Sequence, residues 1–451
     1  MIFLTFASNN SKKTMKKTPI DTKIASEVIA EYHLADFGMA TIREVVAISN
    51  ELEKKTHEEF IHMEMGVPGL KPAAIGVAAE IEALKNGVAS IYPNINGIED
   101  LKNEASRFVK AFMNIEVSPE GCIPVTGSMQ GTYASFLEGI QRDEKKDTIL
   151  FIDPGFPVQK QQILVMGGNY ENFDVYHYRG ERLKEKLESY LKKGTISTIV
   201  YSNPNNPSWI CFTEEELKVI GELATQYDVI VIEDLAYFAM DFRKPLGQPF
   251  EAPYQATVAR YTDNYVLQIS GSKAFSYAGQ RIGVTVISNR LYHREFPALT
   301  KRYGGGTYGT VYSHRILYAL SSGTSHSAQC AMAAMLKAAS DGTFDFVEEI
   351  KEYGRRAKRL KEIFIRHGFK IVYDHDMDEL IADGFYFTIT YPGMCSGDLM
   401  RTLINYGISA ISLGTTGSEQ QGLRACTSFI KNNQYELLDK RLQCFEDNLS
   451  K

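Results

Sequence analysis

The sequence predicts an α/β fold: a large domain on a mostly parallel sheet covered by helices, joined to a smaller α+β domain. Three observations carry this reading. Short runs rich in β-branched residues recur through the middle of the chain, at residues 148–152, 198–201, 229–232, 266–269 and 282–287. Helical periodicity separates several of these runs. The pattern then changes in the last third of the chain.

Runs as uniformly apolar as 198–201 and 229–232 suit strands buried on both faces, as in a parallel sheet. Over 182–191, Leu183, Leu187, Tyr190 and Leu191 share one helical face. Thr213-x-x-Glu216 is a capping box, opening a helix whose Leu217, Ile220, Leu223 and Ala224 lie together. Strand–helix–strand alternation implies parallel strands with helical crossovers. From residue 344 to 367 a long helix is expected, then strands at 369–373, 385–391 and 423–429. A helix covering 400–406 and a closing helix at 433–448 complete an α+β unit. Helices before about residue 75 have no sheet of their own and are expected to pack on that unit. The expected division is a flexible arm at 1–18, small-domain residues 19–75, a large domain at 76–335, and the rest of the small domain at 336–451.

At 451 residues, with 44% apolar and 23% charged side chains, the chain is long enough for more than one core. A net charge of −6 argues against nucleic acid as a partner. No apolar run approaches the roughly 18–20 residues of a membrane span. The first seven residues are apolar but lack a basic leader and a clear cleavage site, so no signal peptide is expected, and Met15 is an alternative start. The six cysteines contain no CxxC pair and read as free thiols of a reducing cytoplasm. The nine histidines show no zinc spacing, so no metal site is expected.

In open α/β sheets, ligands sit beyond the carboxyl ends of the strands. Four segments lie at such ends or at a helix start. Ser270-Gly271-Ser272-Lys273 sets a lysine among hydroxyls and glycines, with Arg281 eight residues on. A lysine that attacks a carbonyl must be desolvated so that its amine is less readily protonated, while serine and arginine suit a phosphate. Glu233-Asp234 ends a strand, where a carboxylate can hold a protonated ring nitrogen. Asn203-Pro204-Asn205-Asn206-Pro207 is a turn whose asparagine can reach a ring oxygen. Gly127-Ser128-Met129 opens a helix and offers backbone N–H groups to a phosphate. Taken singly, each also fits a plain loop, an acidic cap or a solvated turn.

In this order, the four segments resemble the fold-type I pyridoxal phosphate enzymes of aminotransferase class I and II, over roughly residues 60–430. The most specific match is Ser270, Lys273, Gly279, Arg281 and Gly283. The resemblance implies a seven-stranded type of sheet and pyridoxal phosphate as cofactor, bound to Lys273 as a Schiff base. It implies Asp234 rather than Glu233 at the ring nitrogen, because Tyr237 completes the family's Asp-x-x-Tyr. Tyr237 and Asn206 then approach the ring's 3-oxygen. Gly127, Ser128, Met129, Ser270 and Arg281 are implied for the phosphate, and Phe156 for the ring face. Tyr92 is implied to reach the phosphate of a neighbouring subunit, hence a homodimer with shared sites. Gly66 falls near the substrate mouth, and Arg424 where the family clamps the substrate carboxylate.

Two departures stand out. Trp209, the only tryptophan, replaces a glycine after the Asn-Pro turn, and a bulky residue adopts positive φ only at a cost, so the loop is expected to run differently. Thr415-Thr416-Gly417 replaces the family's commoner stretch ahead of the arginine. The implied reaction moves an amino group from an L-amino acid to a 2-oxo acid. A C–S eliminating lyase of the same fold shares every cofactor contact and remains the alternative. The amino donor is left open, and Arg302 and Arg315 are unplaced candidates for a second substrate arginine.

Overall fold

The computed structural model describes residues 17–449. The expected arm at 1–18 therefore falls, except for Lys17 and Thr18, outside the described residues. A seven-stranded sheet has the spatial order Cys122–Val125, Gly283–Ile287, Tyr265–Ser270, Ile230–Leu235, Ile196–Ser202, Thr148–Asp153, Asn169–Asp174. The last five of these run parallel. Gly283–Ile287 is antiparallel to both its neighbours.

Strand alternation divides this sheet between two cores. Ile199, Val231, Leu235, Leu267 and Ile269 face one apolar cluster. Val200, Ile230, Ile232 and Val266 face the other, which also holds Ala134 and Phe136 of helix Gly127–Gln141. Full burial of each such side chain contributes roughly 1.5–3 kcal/mol. Helix Glu214–Gln226 opens with the expected capping box: the Thr213 hydroxyl accepts from the Glu216 N–H, and the Glu216 carboxylate accepts from the Thr213 N–H.

The second sheet has four antiparallel strands in the order Ile411–Ser412, Leu423–Cys426, Tyr386–Thr390, Lys370–Ile371. Phe387, Ile389, Leu423 and Ala425 turn to a third core. That core is completed by Ile20, Val28, Phe37, Val45, Leu52 and Phe60 from one end of the chain and by Leu438, Leu442 and Phe445 from the other. One expectation needs correcting. The N-terminal part does contribute to a sheet, because Ile61–His62 pairs in parallel with Ile408–Ser409. The pairing is only two residues long, too short to leave a periodic signal.

The opposite face of the second sheet carries Tyr386, Arg424 and Cys426, the residues alternating with those core positions. A charge network also joins the two parts. Asp376, on the hairpin of residues 375–380, accepts from Arg179 at 2.8 Å and Arg243 at 2.9 Å. Arg179 pairs with Glu216 at 2.7 Å, and Arg243 with Asp241 at 2.7 Å.

Candidate active site

Strand Tyr265–Ser270 ends in a side chain that starts a turn: the Ser270 hydroxyl accepts from the Ser272 N–H at 3.1 Å, capping the short helix Gly271–Ala274. Lys273 projects from this helix. Its ammonium donates to the Gly66 carbonyl and lies 5.3 Å from the centre of the Phe385 ring. Burial pushes its pKa down to about 8; nearby Cys426 works against this, and the guanidinium charges of Arg281 and Arg424 work with it. Among the described residues, no carboxylate pairs with Lys273.

One strand away, period-two alternation separates two adjacent carboxylates. Glu233 turns into the sheet's other face, where its carboxylate accepts from the Thr257 hydroxyl at 2.6 Å and the Val258 N–H at 3.2 Å. Asp234 accepts from Gln159 at 2.8 Å and from the Ala236 N–H at 3.1 Å. Burial lifts both, Glu233 to about 7 and Asp234 to about 6. Asp234 meets no cation among the described residues, although it is buried.

Arg424 is 1% exposed. It donates to the Glu64 carbonyl and, at 3.4 Å, to the side-chain oxygen of Asn206. Its Nε is buried without a hydrogen-bond partner, and no carboxylate pairs with it among the described residues. Asn206 is held from behind, its N–H donating to the Ser202 hydroxyl at 3.1 Å. Tyr237 is buried and donates its hydroxyl hydrogen to the Tyr386 hydroxyl at 3.0 Å.

Helix Gly127–Gln141 begins beside Arg281. Its N-cap, Thr126, makes no side-chain cap bond to the first turn. Gly127 has φ +68°, and a Cβ there would collide with the Arg281 guanidinium, so the cation stands against the helix start. Ser128 and Met129 follow, both half-buried. An uncapped helix start beside an arginine suits a phosphate and is a candidate cradle for one. Phe156 caps helix Pro157–Met166, with its ring half-buried. Gly66 leaves room for a neighbour, since a Cβ there would strike the Tyr386 hydroxyl.

Lys273, Arg424 and Gly66 thus meet directly or through shared partners, as do Tyr237 and Asn206. Tyr92 does not join them: it is 88% exposed. Arg302 and Arg315 are exposed too. Trp209 takes the positive φ that its bulk argues against. It adopts φ +67° and sits fully buried, with its backbone N–H donating to the Asn205 carbonyl at 2.9 Å. Its indole fills the space a side chain at Gly384 would need, and this packing offsets the backbone strain. Sequence reading missed Gln159 and Tyr386. Gln159 follows the Asp-Pro-Gly-Phe-Pro segment by two residues, a weak signal at a strand end.

The lysine, carboxylate, arginine and uncapped helix start fit pyridoxal phosphate: a carbonyl for the amine, a pyridinium for the unpaired carboxylate, and a phosphate for the cradle. Comparison with known proteins agrees. The sequence pattern of aminotransferase class I and II matches residues 64–433. A probable aspartate aminotransferase of Methanocaldococcus jannaschii is 26% identical over 233 residues, 52% of this chain and 58% of that protein. The aspartate aminotransferase of Bacillus subtilis is 24% identical over 249 residues, 54% and 60% of the two chains. The chain therefore spans about three fifths of the length of these curated relatives. Among solved structures, an aspartate aminotransferase of Thermotoga maritima superposes with a TM-score of 0.72 at 19% identity, covering 94% of this chain and 99% of that one. An alanine aminotransferase of Pyrococcus furiosus gives 0.72 at 18%, covering 90% and 96%. At such identities the likeness establishes the fold.

Proposed function

Because the chain belongs to the aminotransferase class I and II family, we propose that it is a pyridoxal phosphate-dependent aminotransferase moving an amino group from an L-amino acid to a 2-oxo acid. The observation that carries this reading is the set of buried or half-buried charged side chains, Lys273, Asp234 and Arg424, none of which has an opposite charge beside it among the described residues. Buried charges left unpaired mark a place where a ligand supplies the partner.

Lys273 is the attachment residue. Asp234 faces the ring nitrogen and keeps it protonated, with Gln159 orienting the carboxylate. Asn206 and Tyr237 serve the ring's oxygen, and Phe156 covers one face. Gly127, Ser128, Met129, Ser270 and Arg281 hold the phosphate. When bound, the cofactor supplies a sink for the electrons released when a bond at the substrate's α-carbon breaks.

The chain's own groups do the rest. Arg424 takes the substrate carboxylate, with its free Nε as an additional donor. Lys273 then serves as base for the α-proton. With a pKa near 8, roughly a tenth of its amine is neutral at pH 7, several hundred times more than for an ordinary lysine. The same Nζ returns the proton on the other side of the reaction. Tyr92, exposed on one copy, serves the site of a second copy in a homodimer. The reading also divides the chain near residues 75 and 335 and places the protein in a cytoplasm. The six scattered cysteines, with no CxxC pair in the sequence, support that compartment.

The test is to load the protein with pyridoxal phosphate and add single L-amino acids without any 2-oxo acid. Stoichiometric pyridoxamine phosphate, together with the matching 2-oxo acid, is the expected product and names the donor. Release of pyruvate with ammonia or a thiol, and no pyridoxamine phosphate, would replace amino transfer with the eliminating lyase.

A further inference from the structure

Tyr386 touches three parts of the proposed site. Its ring lies 4.6 Å from the Arg424 guanidinium carbon. Its hydroxyl occupies the space that a side chain at Gly66 would need. It accepts the Tyr237 hydroxyl hydrogen at 3.0 Å. Both phenols are buried, at 4% and 3% exposure.

Counting donors exposes an imbalance. Each hydroxyl carries one hydrogen, and the pair shares one bond. Among the described residues the Tyr386 hydroxyl has no second partner, so its own hydrogen lacks an acceptor. If the bond is turned around, the Tyr237 hydrogen becomes the spare one. Either way the pair holds one surplus donor among the described residues. Buried donors are nearly always satisfied, so a spare one marks a place for an acceptor.

We propose that Tyr386 is a positioning residue that donates to Tyr237 when the site is filled, so that Tyr237 can turn its own hydrogen to the ligand's ring oxygen. No proton changes owner; two hydroxyls rotate together. The pair then forms a short relay in which a donor behind Tyr237 makes it a better donor in front. The Tyr386 ring separately backs the Arg424 guanidinium, so one side chain supports the cofactor side through its hydroxyl and the carboxylate side through its ring. This inference rests on the proposed function and adds a residue that the motif matches did not include.

The chain contains its own reporter. Trp209 is its only tryptophan. Its ring lies 5.3 Å from that of Tyr237 and 6.2 Å from that of Tyr386. Pyridoxamine phosphate binds without a covalent link and absorbs where indole emits, so titrating it against Trp209 fluorescence gives a dissociation constant. In the native chain saturable quenching is expected. Tyr386→Phe removes one bond from the free and the filled site alike, so it should weaken binding only through the lost polarisation of Tyr237, by about twofold. Tyr237→Phe should weaken it at least as much, and the double variant no more than Tyr237→Phe alone. Propanoate affinity of the loaded protein should be unchanged in Tyr386→Phe and lowered in Tyr386→Leu, which loses the ring. Native affinity in Tyr386→Phe, or additive losses in the double variant, overturns the relay. Absence of quenching in the native chain overturns the proposed function and the relay with it.

Discussion

At the hairpin of residues 375–380, Asp376 is gripped by Arg179 and Arg243, which in turn hold Glu216 and Asp241. At the proposed site Asp234 and Arg424 are buried and Lys273 is half-buried, yet each stands without a counter-charge among the described residues. Titration follows the difference. Burial works against charge on both Arg179 and Glu216, but their mutual bonds outweigh it, holding the guanidinium above and the carboxyl below its usual value. At the strand ends burial wins, so the lysine falls and the aspartate rises. A buried charge that the protein neutralises itself belongs to the architecture. One that it leaves open belongs to chemistry.

Substitutions can break or sharpen that contrast. The largest effect is expected from Lys273→Ala, with kcat lower by on the order of 10⁴-fold or more and no loss in the melting temperature of the cofactor-free protein. Normal turnover in that variant would end the comparison. Next, Arg179→Met should cost about 3–5 kcal/mol in urea unfolding, because it leaves buried Glu216 without a counter-charge and Asp376 with Arg243 alone, and should leave pyridoxamine phosphate affinity unchanged. Asp234→Asn should do the reverse.

In the cofactor-free protein, folded Asp234 keeps its proton to about pH 6, whereas the unfolded chain releases it near 3.8. The folded state therefore binds more protons between these values, and stability falls as pH rises through them. Removing the carboxylate should flatten that fall by at most about 3 kcal/mol, read from unfolding curves at pH 4 and pH 7, while turnover drops by on the order of 10²-fold or more. The smallest effect should come from Glu233→Gln. This side chain is committed to Thr257 and Val258 on the other face, so kcat/KM should stay within about twofold. A large loss there would mean that the wrong carboxylate has been assigned.

Much of this was legible in the sequence, for reasons that particular residues show. Strands such as Ile196–Ser202 and Ile230–Leu235 are buried on both faces and so carry unbroken apolar runs. Asn169–Asp174 lies at the sheet edge, half exposed and polar, and gave no such run. Cys122–Val125 is four residues long and contains a proline. Lys273 and Asp234 lie at strand ends within short motifs, where spacing is informative. Gln159 meets Asp234 from 75 residues away, and Tyr386 meets Tyr237 from 149. Contacts of that kind are made by how helices and sheets stack, and no local pattern encodes them. Trp209 failed in the other direction: local preference argued against its backbone angle, and tertiary packing overrode it.

The third core has a consequence for how the protein is made. Ile20, Val45 and Phe60 are buried against Leu403, Leu438 and Phe445, and Ile61 finds its strand partner only at Ile408. During synthesis, the early helices must therefore wait through roughly 350 residues of further translation, about half a minute or more, with their apolar faces uncovered. The strands of the large sheet meet partners much closer in sequence and can assemble in that interval. Slow synthesis, cold or a late truncation should then leave an ordered large sheet with a sticky, unfinished end, the state on which chaperones would act.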